Sequence, residues 1–413
     1  MRPYLDLLRR ERDFRRVYLG QLVALGGDWF ALIPLLILLP ELTGTGLWGA
    51  LVLAADTLAF ALVSPYAGTV VDRVDRRRLI VGADVAAGLA ALLLLAVRTE
   101  ATAWIALVAI GLVAAAKAFA QPASSAALPN LVSPRDLQLA SILNGASWGT
   151  MLAVGAALGG LVAATLGPRV CFLLDAALLL GAALLVGRTT RPFSEPSAVV
   201  LPRRPVREDV AEAVGYARRD RHVLALLTCK AGPAFGNGAL SLFPLYGAAA
   251  FGVGPLGVGL MYSARGVGAL LGPLVLRRWT ADGRGLTSVL GGSMMVFGLG
   301  YLALAVTGWF AAVLLLLVVA HAGGGANWIL STYGLQASVP DALRGRIFSA
   351  DNTLATLVIA GSQLVFGVLS DDLPARVLLA AAGGVVLLYA ALWWATARRL
   401  GPDPRLLPAL REA

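Results

Sequence analysis

The chain has 413 residues, 58% of them hydrophobic and 14% charged, with a net charge of +10 at pH 7. That apolar content exceeds what a water-soluble interior of this length needs, so a soluble globular protein is excluded and the chain belongs in a lipid bilayer. Its two cysteines, Cys171 and Cys229, exclude a disulfide framework and a metal-type cysteine cluster, and its basic residues sit in short connections between apolar runs, which argues for topology signals and against nucleic acid as a partner.

Twelve hydrophobic windows are long enough to cross about 30 Å of hydrocarbon as helices. They cover 17–39, 46–70, 79–97, 102–121, 139–165, 170–187, 223–249, 255–276, 286–306, 309–333, 348–370 and 375–397. The alternation of barrel strands is missing. The start, "MRPYLDLLRRERDFRR", is a basic arm, and the apolar run after it is too long for a cleaved signal segment. The second span runs into "GTVVDRVDRRR". The fourth carries Lys117 within "GLVAAAKAFAQP", and the fifth carries Gly149, Gly155, Gly159 and Gly160 in "GTMLAVGAALGGLVAA". Glycines so spaced let helices approach closely. A Pro-rich stretch that turns helix-like separates the sixth span from the seventh, dividing the chain into a bundle over 1–187, a linker over 188–222 and a bundle over 223–413.

Arginines mark connections of one parity: Arg9 and Arg10 before the first span, Arg73 and Arg76 to Arg78 after the second, Arg135, Arg203 and Arg204 in the linker, Arg277, Arg278 and Arg284, Arg344 and Arg346, and Arg398 and Arg399. The positive-inside rule places both termini and the linker in the cytoplasm, with the chain in the inner (plasma) membrane. The halves echo one another. "GTVVDRVDRRR" begins at Gly68 and "GPLVLRRWTADGR" at Gly272, 204 residues on, and "LPNLVSPRDLQLASILNG" returns as "LQASVPDALRGRIFSADNT". Echoes in the same order predict two parallel six-helix repeats, a layout used by secondary transporters.

These residues resemble the major facilitator superfamily. Its loop pattern Gly-x-x-x-Asp-Arg-x-Gly-Arg-Arg is matched by Gly68, Asp72, Arg73, Arg76 and Arg77, with Asp75 in place of the second glycine. "LPNLVSPRDLQLASILNG" and "LRGRIFSADNT" are similar to the bacterial exporter branch that includes the enterobactin exporter and macrolide efflux proteins. The resemblance implies an all-α integral membrane fold, with twelve transmembrane helices in two pseudo-symmetric six-helix bundles. It also implies a cytoplasmic latch in which Asp72 and Arg73 dock near the start of span eleven; Asp136 is a candidate partner for Arg76. The fifth-span glycines resemble the antiporter motif, but Ala156 stands where its proline is expected.

In the family, spans one, four, seven and ten line the central cavity. Here they carry Asp28, Lys117, Lys230 and His321, one ionisable residue each. A charge at bilayer depth costs about 3 kcal/mol on insertion scales, so it normally faces water, a partner or substrate. Counted at 1.5 Å per residue, Asp28 lies about 16 Å from the cytoplasmic end of its span and His321 about 18 Å from the outer end of its own, both near the midplane. The chain otherwise uses arginine for positive charge. Lysine at two intramembrane sites therefore points to a cation that can lose its proton, as arginine effectively cannot. Asp28 is the first candidate proton carrier, paired with Lys117; His321 is the second, and Arg265 is a candidate anion contact. Asp56, Asp84 and Asp175 are assigned to the cavity less directly.

The resulting expectation is a monomeric secondary transporter that exports a small amphipathic or aromatic compound, drug-like or siderophore-like, against inward proton flow. The alternatives are uptake or facilitated movement of a metabolite or lysolipid, and a non-transporting sensor. His-Glu-x-x-His and Walker-type loops are missing from the sequence, and no enzymatic activity, metal, cofactor or direct ATP use is expected.

Overall fold

The structure is a computed structural model and describes residues 2–71, 73–193, 206–276 and 285–405. Asp72, Arg203, Arg204, Arg277, Arg278 and Arg284 lie outside the described residues. Among the described residues all regular structure is helical, as an apolar solvent demands when every backbone N–H and C=O must be satisfied within its own segment. The helices are α1 (Arg2–Arg10), α2 (Arg12–Thr43), α3 (Leu47–Val71), α4 (Arg76–Leu92), α5 (Trp104–Leu131), α6 (Leu137–Leu166), α7 (Pro168–Gly187), α8 (Val206–Arg219), α9 (Arg221–Cys229), α10 (Ala231–Asn237), α11 (Phe243–Phe251), α12 (Pro255–Leu276), α13 (Leu286–Val306), α14 (Phe310–Ser338), α15 (Asp341–Leu369) and α16 (Ala375–Ala397).

Eleven helical stretches among the described residues are long and apolar enough to cross a membrane. The crossing expected over 223–249 is not one continuous helix but α9, α10, a 3-10 turn over Gly238–Leu242 and α11. Prolines explain the breaks. Pro233 has no N–H to offer Cys229, where α9 ends, and Pro244 likewise leaves the carbonyl of Leu240 without its helical donor. Lys230 sits at the first break, between α9 and α10.

The chain divides into two compact units, Met1–Val200 with Gly252–Ser263, and Leu201–Phe251 with Ala264–Ala413. In the first, α2 packs on α6 and α7, and α4 packs on α5 and α7. Small residues set the approach. A Cβ added at Gly155 would stand 3.0 Å from the carbonyl oxygen of Gly26, and one at Gly159 would stand 2.6 Å from that of Trp29. Gly160 faces Pro255 and Gly259 of the same unit, and Gly149 is buried. In the second unit α13 packs on α14 and α16, and α15 packs on α10 and the 3-10 turn.

Ion clusters fasten the helix ends of each unit. In the first, Asp13 accepts from Arg16 at 3.0 Å, from the Thr190 hydroxyl at 2.9 Å and from the Arg191 backbone N–H at 2.8 Å. In the second, Arg405 donates to Asp220 at 2.6 Å, to Asp403 at 2.8 Å and to the carbonyl of Ser338 at 2.9 Å. This ties the segment after α16 to the ends of α9 and α14. Partial burial pushes the Asp220 carboxyl up, but Arg405 and the N–H groups of Val223 and His222 outweigh it, and the group ends below its ordinary 3.8. Asp403 is likewise held low, by Arg405 and Ser338 against its burial.

Carboxylates depressed on folding stabilise the fold above pH 3.8, and that contribution disappears as pH falls through their lowered folded values. Arg405→Gln should therefore cost about 1 kcal/mol at neutral pH, discounted for solvent screening at a side chain that is 36% exposed. Melting curves of wild type and variant in detergent should differ at pH 7 and converge in strong acid. Gly159→Val should overpack the α2–α6 contact and lower stability by about 1–3 kcal/mol or more, whereas Gly145→Ala, with nothing within 4 Å of the added carbon, should melt as wild type does.

Candidate functional site

Within the first unit, Lys117 of α5 and Asp28 of α2 form an ion pair. The lysine side chain is 11% exposed and the aspartate 21%, so the carboxylate is the less enclosed of the two. Gly26 and Gly27 precede Asp28 on α2. The missing side chain at Gly27 leaves space that the carboxyl group of Asp175, on α7, occupies: an added Cβ would stand 2.8 Å from its Oδ1. Asp175 is buried, neither carboxyl oxygen has a hydrogen-bond partner among the described residues, and it feels the charge of Lys117. A cavity of about 40 Å3 adjoins Lys117 and is lined also by Gln21, Asp84 and Ser124.

The second unit holds another buried pair, Lys230 at the break after α9 with Asp351 of α15. Thr332 Oγ1 accepts from Lys230 Nζ at 2.9 Å, and the Trp328 ring centroid lies 5.0 Å from the ammonium. Lysine thus meets a carboxylate, a hydroxyl and an aromatic face, which together offset much of the cost of removing its charge from water. Asp351 lies inside the span expected over 348–370 but was not singled out among its ionisable residues; α15 begins at Asp341, ten residues before it.

His321 on α14 packs against α13, where its Nε2 lies 3.1 Å from the Tyr301 hydroxyl and its ring meets Phe297 edge-on at 5.2 Å. Arg265 of α12 is within electrostatic reach of it. Within the units, Asp28 meets Lys117, Lys230 meets Asp351, and His321 meets Tyr301 with Arg265 in electrostatic reach.

Around the expected latch, Gly68 lies in the last turn of α3 and Arg73 is exposed. Arg76 donates to the carbonyls of Ala126 at 2.8 Å and Phe193 at 3.3 Å, and Arg77 to that of Thr189 at 2.6 Å. The pairing of Arg76 with Asp136 does not form. Asp136 precedes α6 and is held by both oxygens, each 2.9 Å from Arg10 of α1, with the Ser133 hydroxyl at 3.0 Å. Bidentate guanidinium–carboxylate contact is the stronger option for that carboxylate.

Helices of membrane-crossing length with ion pairs enclosed among them define a multi-pass helical membrane protein. The family model of the Major Facilitator Superfamily matches residues 17–362. The chain belongs to that superfamily, with its membrane fold of twelve crossings in two six-helix bundles. Macrolide efflux protein A of Streptococcus pyogenes is 29% identical over 126 residues, and the chain aligns with 31% of the length of that relative. Among solved structures, a bacterial homolog of the human lysosomal transporter Spinster, inward-facing and unoccupied, has a TM-score of 0.73 at 15% identity, covering 96% of this chain and 99% of its own. A POT family transporter in complex with a thioalcohol-conjugated peptide gives 0.74 at 12% identity, covering 94% and 96%. The human organic anion transporter MFSD10 gives 0.63 at 18% identity, covering 93% and 99%.

Removing one member of a buried pair leaves the other charge uncompensated. Lys230→Met or Asp351→Leu alone should lower stability by about 3–5 kcal/mol, while the double variant should recover most of the loss. Denaturation of the three variants in detergent tests this, and equal losses in the single and double variants would contradict it.

Proposed function

We propose that the chain exports a small amphipathic or aromatic compound in exchange for protons, by alternating access, as a monomer in the inner membrane with both termini cytoplasmic. The observation that carries this reading is the Lys117–Asp28 pair, an enclosed cation whose carboxylate partner is the less enclosed of the two. Protonation of Asp28 would neutralise it and release Lys117, changing the charge that α2 and α5 present to a substrate. Intramembrane ionisable groups are expensive and typically mark ion and proton pathways. Rocking of inverted or parallel repeats about a midplane site is the general mode of such folds. Export as the direction is supported by the short likeness to a macrolide efflux protein, and cytoplasmic termini by the parity of the arginine-rich connections. The arginines that clasp helix ends near Thr189 and Phe193 are compatible with a latch role for the loop that follows α3.

The test uses everted vesicles containing the full-length chain, energised to acidify the interior, with radiolabelled erythromycin as the probe. Accumulation is expected in wild type, and Asp28→Asn and Lys117→Met should reduce it to the level of vesicles lacking the protein. Accumulation that is independent of the proton gradient, or that survives Asp28→Asn, would refute proton coupling through this pair.

A further inference from the structure

The set around Lys117 contains more carboxyl groups than one lysine can neutralise. Asp28 reaches it from α2 and is paired with it; Asp175 approaches from α7 and is attracted by it without a hydrogen-bond partner among the described residues. Asp175 is only 1% exposed. A second uncompensated carboxylate so deeply enclosed would cost several kcal/mol, whereas a protonated one costs far less. One lysine and two carboxyls thus form a neutral set only when a single proton resides on one of the acids.

The geometry points to Asp175 as the resident proton store of the first unit, with Lys117 exchanging between Asp28 and Asp175 as protons arrive and leave. This inference rests on the proton-coupled reading above and adds a third member to its pair. In the structure Lys117 takes Asp28, so the proton is on Asp175. When Asp28, the more exposed acid, accepts a proton from solvent, its O–H bond forms and Lys117 loses its partner. Lys117 then turns to Asp175, whose O–H bond breaks. One proton has entered at Asp28 and one has left from Asp175 to water; the set carries one extra positive charge between the two events and is neutral before and after. Gly27 is needed because any side chain there would displace the Asp175 carboxyl from the surface of α2 beside Asp28. The cavity adjoining Lys117, with Asp84 of α4, Gln21 and Ser124 among mostly apolar walls, has about the volume of one water molecule.

Other ionisable groups around Asp175 are few. The helices packed on α7 are α2, α4 and α6; α2 supplies Asp28, with Arg12, Asp13, Arg15, Arg16 and Tyr18 towards its start and Glu41 towards its end, and α4 supplies Asp84, with Arg76 to Arg78 at its start. The span of α6 contains no ionisable side chain, and α7 itself adds Arg169 at its first turn and the buried Cys171. Lys117, from α5, is the one cation among them at the depth of Asp175 for which an interaction with it is found among the described residues.

Infrared difference spectra of the purified full-length protein in nanodiscs at neutral pH, read in the region of protonated carboxyl groups, test the assignment without any substrate. Wild type should show absorbance that Asp175→Asn reduces by one carboxyl. Asp28→Asn should remove the same absorbance, because Lys117 then pairs with an ionised Asp175, and Lys117→Met should retain it. An unchanged spectrum in Asp175→Asn overturns the proposal, as does a carboxyl proton that persists in Asp28→Asn. Should Asp175→Asn fail to fold, the Asp28→Asn spectrum decides alone. Failure of the spectra leaves gradient-driven erythromycin accumulation standing, and loss of that accumulation in wild type leaves the spectral assignment standing, so the two readings fail separately.

Discussion

A formal charge enclosed among helices that are themselves immersed in hydrocarbon has neither water nor a high dielectric to stabilise it, and must find an opposite charge or give up its proton. Lys117 and Lys230, the chain's two lysines, each meet this constraint with an aspartate from another helix. The two solutions differ. Lys230 is almost sealed, its ammonium held by Asp351, Thr332 and the face of Trp328, as suits a contact that holds α9, α14 and α15 together. Lys117 keeps a partly exposed carboxylate and a neighbouring acid without a hydrogen bond. Only the second arrangement has room for its charges to be redistributed.

The backbone makes both arrangements possible. Adjacent glycines on α2 and the glycine rows of α6 permit close helix approach, and the one at Gly27 lets Asp175 of α7 lie against α2. In the second unit, Pro233 interrupts the helix next to Lys230 and frees local backbone groups. Discontinuous crossings of this kind recur at the binding sites of secondary transporters. The same economy of small residues operates at His321, whose neighbour Gly323 admits α13 close enough for the Tyr301 hydroxyl to meet the imidazole.

Much of this was legible in the residues. Hydropathy over about 20 positions is a local property, so eleven crossings followed directly, and the loop pattern around Asp72 with the repeated offsets pointed to the superfamily. The twelfth crossing was legible as an apolar stretch but not as a broken one, although Pro233 and Pro244 carried the signal. Pairings were much less accessible. Asp136 stands beside a run of connection residues, and nothing local indicates that Arg10, 126 positions earlier, takes it in preference to Arg76. Asp351 and Lys230 are 121 positions apart, and Asp175 reads as one more acid near a helix start.

The amino-acid sequence by itself determined the solvent of this protein, its number of crossings and its superfamily, because hydrophobicity, charge and motif spacing are summed along the chain. Only the tertiary structure decided which acid serves which base, that His321 turns to Tyr301, and that Asp175 shares a site with Asp28. Those outcomes depend on helix rotation and on sub-ångström differences in helix approach, and Coulomb energy falls off with a distance that separation along the chain does not record.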